Sequence, residues 1–426
     1  MKKSKIVIVG AGSLNFGISC IQDIFSTPQL WGSEVVMVDI NEESLEAMFN
    51  VAKRINDEIG SNYRISCATD RKEALPGADF VIVSIAVDRN KMWKNDFQIP
   101  LKYGIKHVLG ENAGPGAVFH TMRNIPIVME ICHDIEKLCP KAFLLNFTNP
   151  ESRICLAVDK YTNVKSVGLC HQLRAGKRMI GKIIDKDPGD IDVKAYGINH
   201  FTWASDIRDI HTGEDLYKVF KEQESTFDIE YEKFSRFLFH QFGLLPMSGD
   251  GHLGEFFPYA HEMVSAKGFD FEADEEYRVK RKEFIDSLSD KSIPLPVGML
   301  KPSGEKAFDI INGMIHNTNQ LIDSVNIVNK GCISNLPDDC IVDIPCVVSG
   351  NGLNGLKMGS LPRPIAAICL NQINVQHLVV DAAVTGDSKM AFNAFLIDTN
   401  VPSLKAARNI FDELMEINKA YLPQFN

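Results

Sequence analysis

The sequence predicts an α/β protein whose first half is a parallel sheet with covering helices and whose second half is an α+β unit. Three observations carry this. Short apolar runs alternate with stretches of helical apolar spacing, the rhythm of βαβ units. The first of those runs ends directly on a glycine turn, Gly10-Ala11-Gly12. At 426 residues the chain is also long for a single hydrophobic core, so two units are expected.

Ile6 to Val9 is the first predicted strand, Val35 to Asp39 the second and Phe80 to Ala86 the third. Lys106 to Leu109 reads as a short fourth, and Ala142 to Phe147 as another. Ile21 to Phe25, Glu42 to Ile59 and Arg123 to Leu138 carry apolar residues at helical spacing. The helix at Glu42 has Asn41 placed to cap it, with Glu42 and Glu43 in a first turn that favours negative charge. Beyond residue 196 the alternation fades. Glu214 to Asp290 is charged, aromatic and helical in pattern, and Ile341 to Val348 reads as a strand before the turn Ser349 to Gly355. Ala366 to Thr385 and Val401 to Ala420 are long amphipathic helices. The expected division is residues 1–196 as a Rossmann-type nucleotide-binding domain and 197–426 as a catalytic domain.

Composition excludes several classes. A net charge of −10 argues against a nucleic-acid binder, which normally shows a basic face. No apolar run approaches the roughly 20 residues of a membrane span. The apolar stretch after the N-terminal lysines is too short for an export signal. Ten cysteines without regular spacing, in a chain this large, point to reduced thiols and a cytoplasmic setting.

The glycine turn sits where a first strand meets a helix. There backbone N–H groups can approach a pyrophosphate, with Gly10, Gly12, Ser13, Leu14 and Asn15 forming the loop. The third glycine of the usual fingerprint is replaced by Asn15. Asp39, ending the second strand, is placed to bond both ribose hydroxyls and repel a 2′-phosphate, which selects NAD over NADP.

A second group of motifs does not suit an ordinary dehydrogenase. It comprises Gly110-Glu111-Asn112-Ala113-Gly114-Pro115-Gly116 with Arg123 downstream, then Asn146-Phe147-Thr148-Asn149-Pro150, Gly168-Leu169-Cys170-His171 and Gly197-Ile198-Asn199-His200. Ser303-Gly304-Glu305 and Asn329-Lys330-Gly331 follow. In this order, behind a Rossmann start, they resemble glycoside hydrolase family 4. The resemblance implies an architecture like that of lactate and malate dehydrogenases, NAD and a divalent metal (Mn²⁺ or another) as cofactors, and a homodimer or homotetramer. The activity it implies is hydrolysis of an α-linked glycoside by oxidation at C3, metal-assisted removal of the C2 proton and elimination, one of the exceptions to two-carboxylate hydrolysis.

By the same resemblance Cys170 and His200 are the metal ligands, a thiolate and an imidazole that leave positions open for substrate. Asn149 contacts the sugar hydroxyls, and Glu111 and Arg123 shape the sugar and cofactor pockets. Asp250 stands where several α-acting members carry the C2 base, with Tyr259 the second choice. His252 is a third possibility, as a polar substrate contact or a plain loop residue. Asp250 before glycine is equally good turn chemistry. His171, beside the metal cysteine, is the candidate for protonating the leaving group. The Cys-His pairing resembles the branch acting on unphosphorylated sugars, and the segment Gly249 to Pro258 resembles α-galacturonidases. The alternatives are a 6-phospho-glycosidase of the same family and a malate/lactate-type dehydrogenase. The last would be indifferent to chelators.

Overall fold

The computed structural model describes residues 3–264 and 268–425. Six parallel strands open the chain: β1 (Lys5–Val9), β2 (Glu34–Val38), β3 (Arg64–Ala68), β4 (Phe80–Val83), β5 (Phe143–Asn146) and β6 (Lys165–Gly168). They lie in the order β3-β2-β1-β4-β5-β6. This is the doubly wound nucleotide-binding arrangement, in which the order reverses beside β1 and opens a crevice at the strands' C-terminal ends. β4 is apolar throughout, and β1 and β2 are apolar after their first residues, Lys5 and Glu34, because both faces of a parallel sheet are covered.

The sheet does not stop there. The second half supplies β7 (Ile191–Ile198), β8 (Phe201–Asp209), β9 (Leu245–Pro246), β10 (Gln320–Val328), β11 (Ile341–Ser349) and β12 (Gly352–Gly355). These continue the same sheet in the order β6-β10-β11-β7-β8-β9, with β12 folding back on β11. The joints are antiparallel: Asn326 of β10 pairs with Gly168 of β6, and Asp343 of β11 pairs with Gly197 of β7.

The α/β prediction with a parallel nucleotide-binding half holds, with one predicted strand corrected. Lys106–Leu109 is not a strand, because β4 pairs directly with β5 and leaves no slot between them. The expected boundary at 196/197 falls inside β7. Helices from the second half also complete the first half's core. Phe271–Ser289 and Ala307–His316 bury Ile285, Leu288, Phe308 and Ile311 on one face of the parallel strands. Arg363–Thr385 and Leu404–Asn418 bury Val375, Val379, Ile410 and Leu414 on the other. Burial at roughly 25 cal/mol per Å² of apolar surface makes those helices integral to the first half, not appendages of a separate unit. Asn41 caps Glu42–Ile59 as its position predicts, its Oδ1 accepting from Ser44 N–H at 3.0 Å. Among the described residues no helix is long and apolar enough to cross a membrane, and all ten cysteines are free thiols.

Candidate active site

The glycine turn leaves β1 as predicted. A Cβ on Gly10 would lie 1.9 Å from the Ser84 carbonyl, and one on Gly12 would lie 2.9 Å from the Asp39 carboxylate. Asp39 follows β2 and is held in place by Gly12 N–H at 2.8 Å and Asn41 N–H at 2.9 Å. Ser13 Oγ accepts from Phe16 N–H, Asn15 precedes the helix Phe16–Phe25, and the Leu14 carbonyl accepts from Arg281 Nε. A tight glycine loop, a helix start and a fixed carboxylate meet at one place, so these residues fit a dinucleotide.

Cys170 follows β6, and His200 lies in the two-residue turn Asn199-His200 that joins β7 to β8. Thirty residues apart in sequence, they meet with Sγ 3.2 Å from Nε2. Sulfur and nitrogen at about 2.3 and 2.1 Å from one divalent ion would lie about 3.1 Å apart at a right angle, so the spacing suits adjacent coordination positions. Burial pushes the Cys170 thiol well up, with Asp343 and Glu151 adding to it. Burial likewise holds the His200 imidazole well down. Both groups are therefore neutral without an ion, and a cation would displace the thiol proton. His200 has φ +61°, a conformation L side chains rarely adopt, and such strain clusters at functional sites.

His252 tilts against His200 with ring centroids 4.2 Å apart, and its Nδ1 lies 2.9 Å from Glu255 Oε1. Burial alone would lower this imidazole's pKa. The Glu255 hydrogen bond and the charges of Glu255 and Glu111 outweigh burial and push it up. Glu255 lies in the segment Gly249 to Pro258 that carries the α-galacturonidase resemblance, but nothing in the sequence assigned it a role of its own. Its buried carboxylate accepts from Glu111 N–H at 2.7 Å, Asn112 N–H at 2.6 Å and Asn112 Nδ2 at 3.2 Å, besides facing His252. Donor atoms of His200, His252 and Glu255 lie within 4.8 Å of one another and form a second possible ligand set. It is the poorer one, because Glu255 and His252 Nδ1 are already committed to each other and to the 111–112 loop.

Asn149 reaches this loop through Nδ2, 3.5 Å from Glu111 Oε1. Glu111 is buried, and burial pushes its carboxyl up. It lines a small cavity with Arg89, Trp93, His120 and Arg123. His171 is exposed beside Cys170, its Nδ1 3.3 Å from Glu305 Oε1. The motif Ser303-Gly304-Glu305 thus serves two ends, since Ser303 donates to Asp23 through both N–H and Oγ.

Three candidate residues stand elsewhere than the sequence suggested. Asp250 accepts from Phe234 N–H at 3.1 Å and from Ser235 N–H and Oγ, each at 2.7 Å. It thereby satisfies the free first-turn groups of the helix Lys233–Phe242, and its lone pairs are committed to that task. Tyr259 is about half exposed, its ring beside Phe257. Arg123 borders the cavity, but its guanidinium is bound to Asp96 at 2.5 and 3.1 Å and to Asn418 Oδ1 at 2.7 Å, all buried. It fastens the C-terminal helix to the first half.

Comparison with known proteins matches this architecture along nearly the whole chain. Residues 5–186 match the family 4 glycosyl hydrolase description and residues 195–401 its C-terminal domain. An α-glucosidase of Erwinia rhapontici is 31% identical over 461 residues, spanning 98% of this chain and 99% of that protein. An α-galacturonidase of Thermoanaerobacterium saccharolyticum is 29% identical, spanning 98% of this chain and 96% of its own. A 6-phospho-α-glucosidase from gut microorganisms, solved in complex with NAD and Mn²⁺, superposes with a TM-score of 0.84 over 100% of both chains at 22% identity. A lactate dehydrogenase of Eimeria maxima, solved with NADH and oxamate, covers 90% of this chain and 96% of its own, with a TM-score of 0.53 and 16% identity. The sheet order and the more distant dehydrogenase likeness agree with the architecture expected from the sequence, and the chain belongs to family 4 of the glycosyl hydrolases.

Proposed function

We propose that the protein is an NAD- and Mn²⁺-dependent glycosidase acting on an α-linked, unphosphorylated sugar, with an α-galacturonide the leading candidate. The observation that carries this reading is the meeting of Cys170 and His200 at 3.2 Å, at the same edge of the parallel sheet from which the glycine loop leaves β1. The α-specific names of most relatives support the linkage, although a 31% identical relative is named a probable 6-phospho-β-glucosidase. When bound, NAD would accept and return the C3 hydride, and the divalent ion would place positive charge beside the sugar's oxygens.

The chain's own residues divide the remaining work. Gly10, Gly12 and Asp39 hold the nucleotide, and Cys170 and His200 hold the ion. Asn149 and Glu111 orient the sugar from the same loop cluster. His252 is the group we assign to the C2 proton in place of Asp250. In its neutral form, with Nδ1–H donated to Glu255, its Nε2 carries a free lone pair, whereas the Asp250 carboxylate is already holding a helix. His171, exposed and paired with Glu305, is placed to protonate the departing oxygen.

The test is hydrolysis of a p-nitrophenyl α-glycoside and of an α-galacturonide with NAD, Mn²⁺ and reductant supplied singly and together. Activity is expected only with all three, and Cys170→Ser should abolish it while shifting Tm by a few degrees at most. Hydrolysis that survives in that variant, or in chelator, rejects the reading.

A further inference from the structure

We propose that Asp343 is a positioning residue for the Cys170–His200 pair, one buried carboxylate that fixes both chain segments carrying the ligands. The inference rests on the metal reading above and deepens it. Asp343 lies in β11 and pairs with Gly197, three residues before His200. Its Oδ2 accepts from Gln172 Nε2 at 2.6 Å, and Gln172 is two residues beyond Cys170. Its Oδ1 accepts from Ser324 Oγ at 2.6 Å, which ties the carboxylate to β10. The Asn199 amide is buried and finds no hydrogen bond of ordinary geometry among the described residues. It lies beside this same carboxylate and the Cys170 sulfur, and favours negative charge on both.

A buried carboxylate is costly in a strand, and a neutral residue would serve the ladder equally well. An ionised carboxylate, however, only accepts hydrogen bonds. It therefore turns the donor ends of Gln172 and Asn199 toward itself and sets the two flanking backbones at one separation. Charge points the same way. A divalent ion on one thiolate retains a single positive charge, and a nearby buried carboxylate cancels it. Cys170 comes from the first half of the chain and His200 from the second, so a residue bonded toward both settles their distance. Outer partners of this kind typically change metal affinity about ten- to a hundred-fold when removed.

The test uses the full-length protein stripped of metal and titrated with Co²⁺, whose bond to a thiolate gives a near-ultraviolet charge-transfer band. NAD binding, measured separately by calorimetry, reports whether the first half is folded. Asp343→Asn should weaken Co²⁺ binding at least ten-fold and displace the band, with NAD affinity retained. Ser324→Ala, which cuts only the tie to β10, should change Co²⁺ affinity less than three-fold. Should Asp343→Asn lose NAD binding through misfolding, Gln172→Ala decides, since it cuts the link to the Cys170 segment alone and should give the same loss. Co²⁺ affinity and band position unchanged in a folded Asp343→Asn or Gln172→Ala protein overturn the proposal and leave the metal reading standing. Absence of the band in the unaltered protein overturns both.

Discussion

Replacing Glu255 by glutamine tests how the proton-transfer group is set. In the native arrangement one carboxylate faces four donors: two backbone N–H groups, Asn112 Nδ2 and His252 Nδ1. Glutamine has the same shape but only one accepting oxygen. If that oxygen keeps the Glu111 and Asn112 N–H groups, its NH₂ must face His252 Nδ1 and Asn112 Nδ2. Hydrogen bonds to a charged group are worth about 1.5–3 kcal/mol and neutral ones about 0.5–1.5. Weakening two and losing a third therefore costs about 3.5–6 kcal/mol, which a domain in the middle or upper part of the usual range of about 5–15 kcal/mol survives. The larger effect falls on His252. To meet an NH₂ it must accept at Nδ1, so its proton moves to Nε2 and the lone pair facing the site is gone. General base catalysis contributes roughly 10²- to 10⁴-fold, so kcat for p-nitrophenyl glycoside hydrolysis should fall at least about 100-fold. NAD affinity should be unchanged, and the isotope effect from C2-deuterated substrate should grow as that step becomes limiting. A Glu255→Gln enzyme with kcat within three-fold of the parent and an unaltered isotope effect refutes this reasoning.

Asp250→Asn should be a mild change, because the one amide oxygen can keep the Ser235 N–H and Oγ and only the bond from Phe234 N–H is lost. We expect a loss of about 0.5–2 kcal/mol in urea unfolding, as for a weakened helix cap, and activity within a few-fold; loss of activity in a stable protein would restore Asp250 as the base. At His200, glycine should be more stable than alanine by about 1–2 kcal/mol, since only glycine relieves the φ of +61°. Equal unfolding midpoints for the two variants would mean that the turn relaxes without strain. Asp23 is pushed up to about 6, chiefly by burial, against the Ser303 hydrogen bonds. Its folded pKa lies above the unfolded value, so its contribution is fully present below about pH 4 and is lost as pH rises through about 6. Asp23→Asn should therefore flatten the pH dependence of the urea midpoint between pH 4 and 7 by about 2–3 kcal/mol; identical slopes in parent and variant would exclude the effect.

The parallel half was legible because each of its signals is local. A strand, a glycine turn, a helix and an acid follow one another within forty residues, and Asn41 announces its helix by side-chain chemistry alone. β3 and β6 escaped notice for physical reasons. β3 is an edge strand with little buried surface, and β6 is four residues long. The Cys170–His200 pair could be named only through resemblance, since spacing gives no reason for those two residues to meet. The roles of Glu255, Glu305 and Asp343 could not be read because each has a partner more than a hundred residues away, although Glu305 stood in a quoted motif. Asp250 shows the limit of the sequence, because a carboxylate that caps a helix and one that takes a proton look alike there. The difference lies in which donors have already claimed its oxygens.

The strand ladder that runs unbroken from the nucleotide half into the second half limits how the molecule can breathe. Two lobes joined by a flexible strap can part to admit a ligand, as a clamshell does. Here the joint is β6 against β10 and β11 against β7, with second-half helices packed over both faces of the first six strands, so parting the halves would mean tearing hydrogen-bonded backbone. Any opening around the candidate site must then come from side chains and short segments, while the sheet holds the segments bearing Cys170 and His200 at one separation.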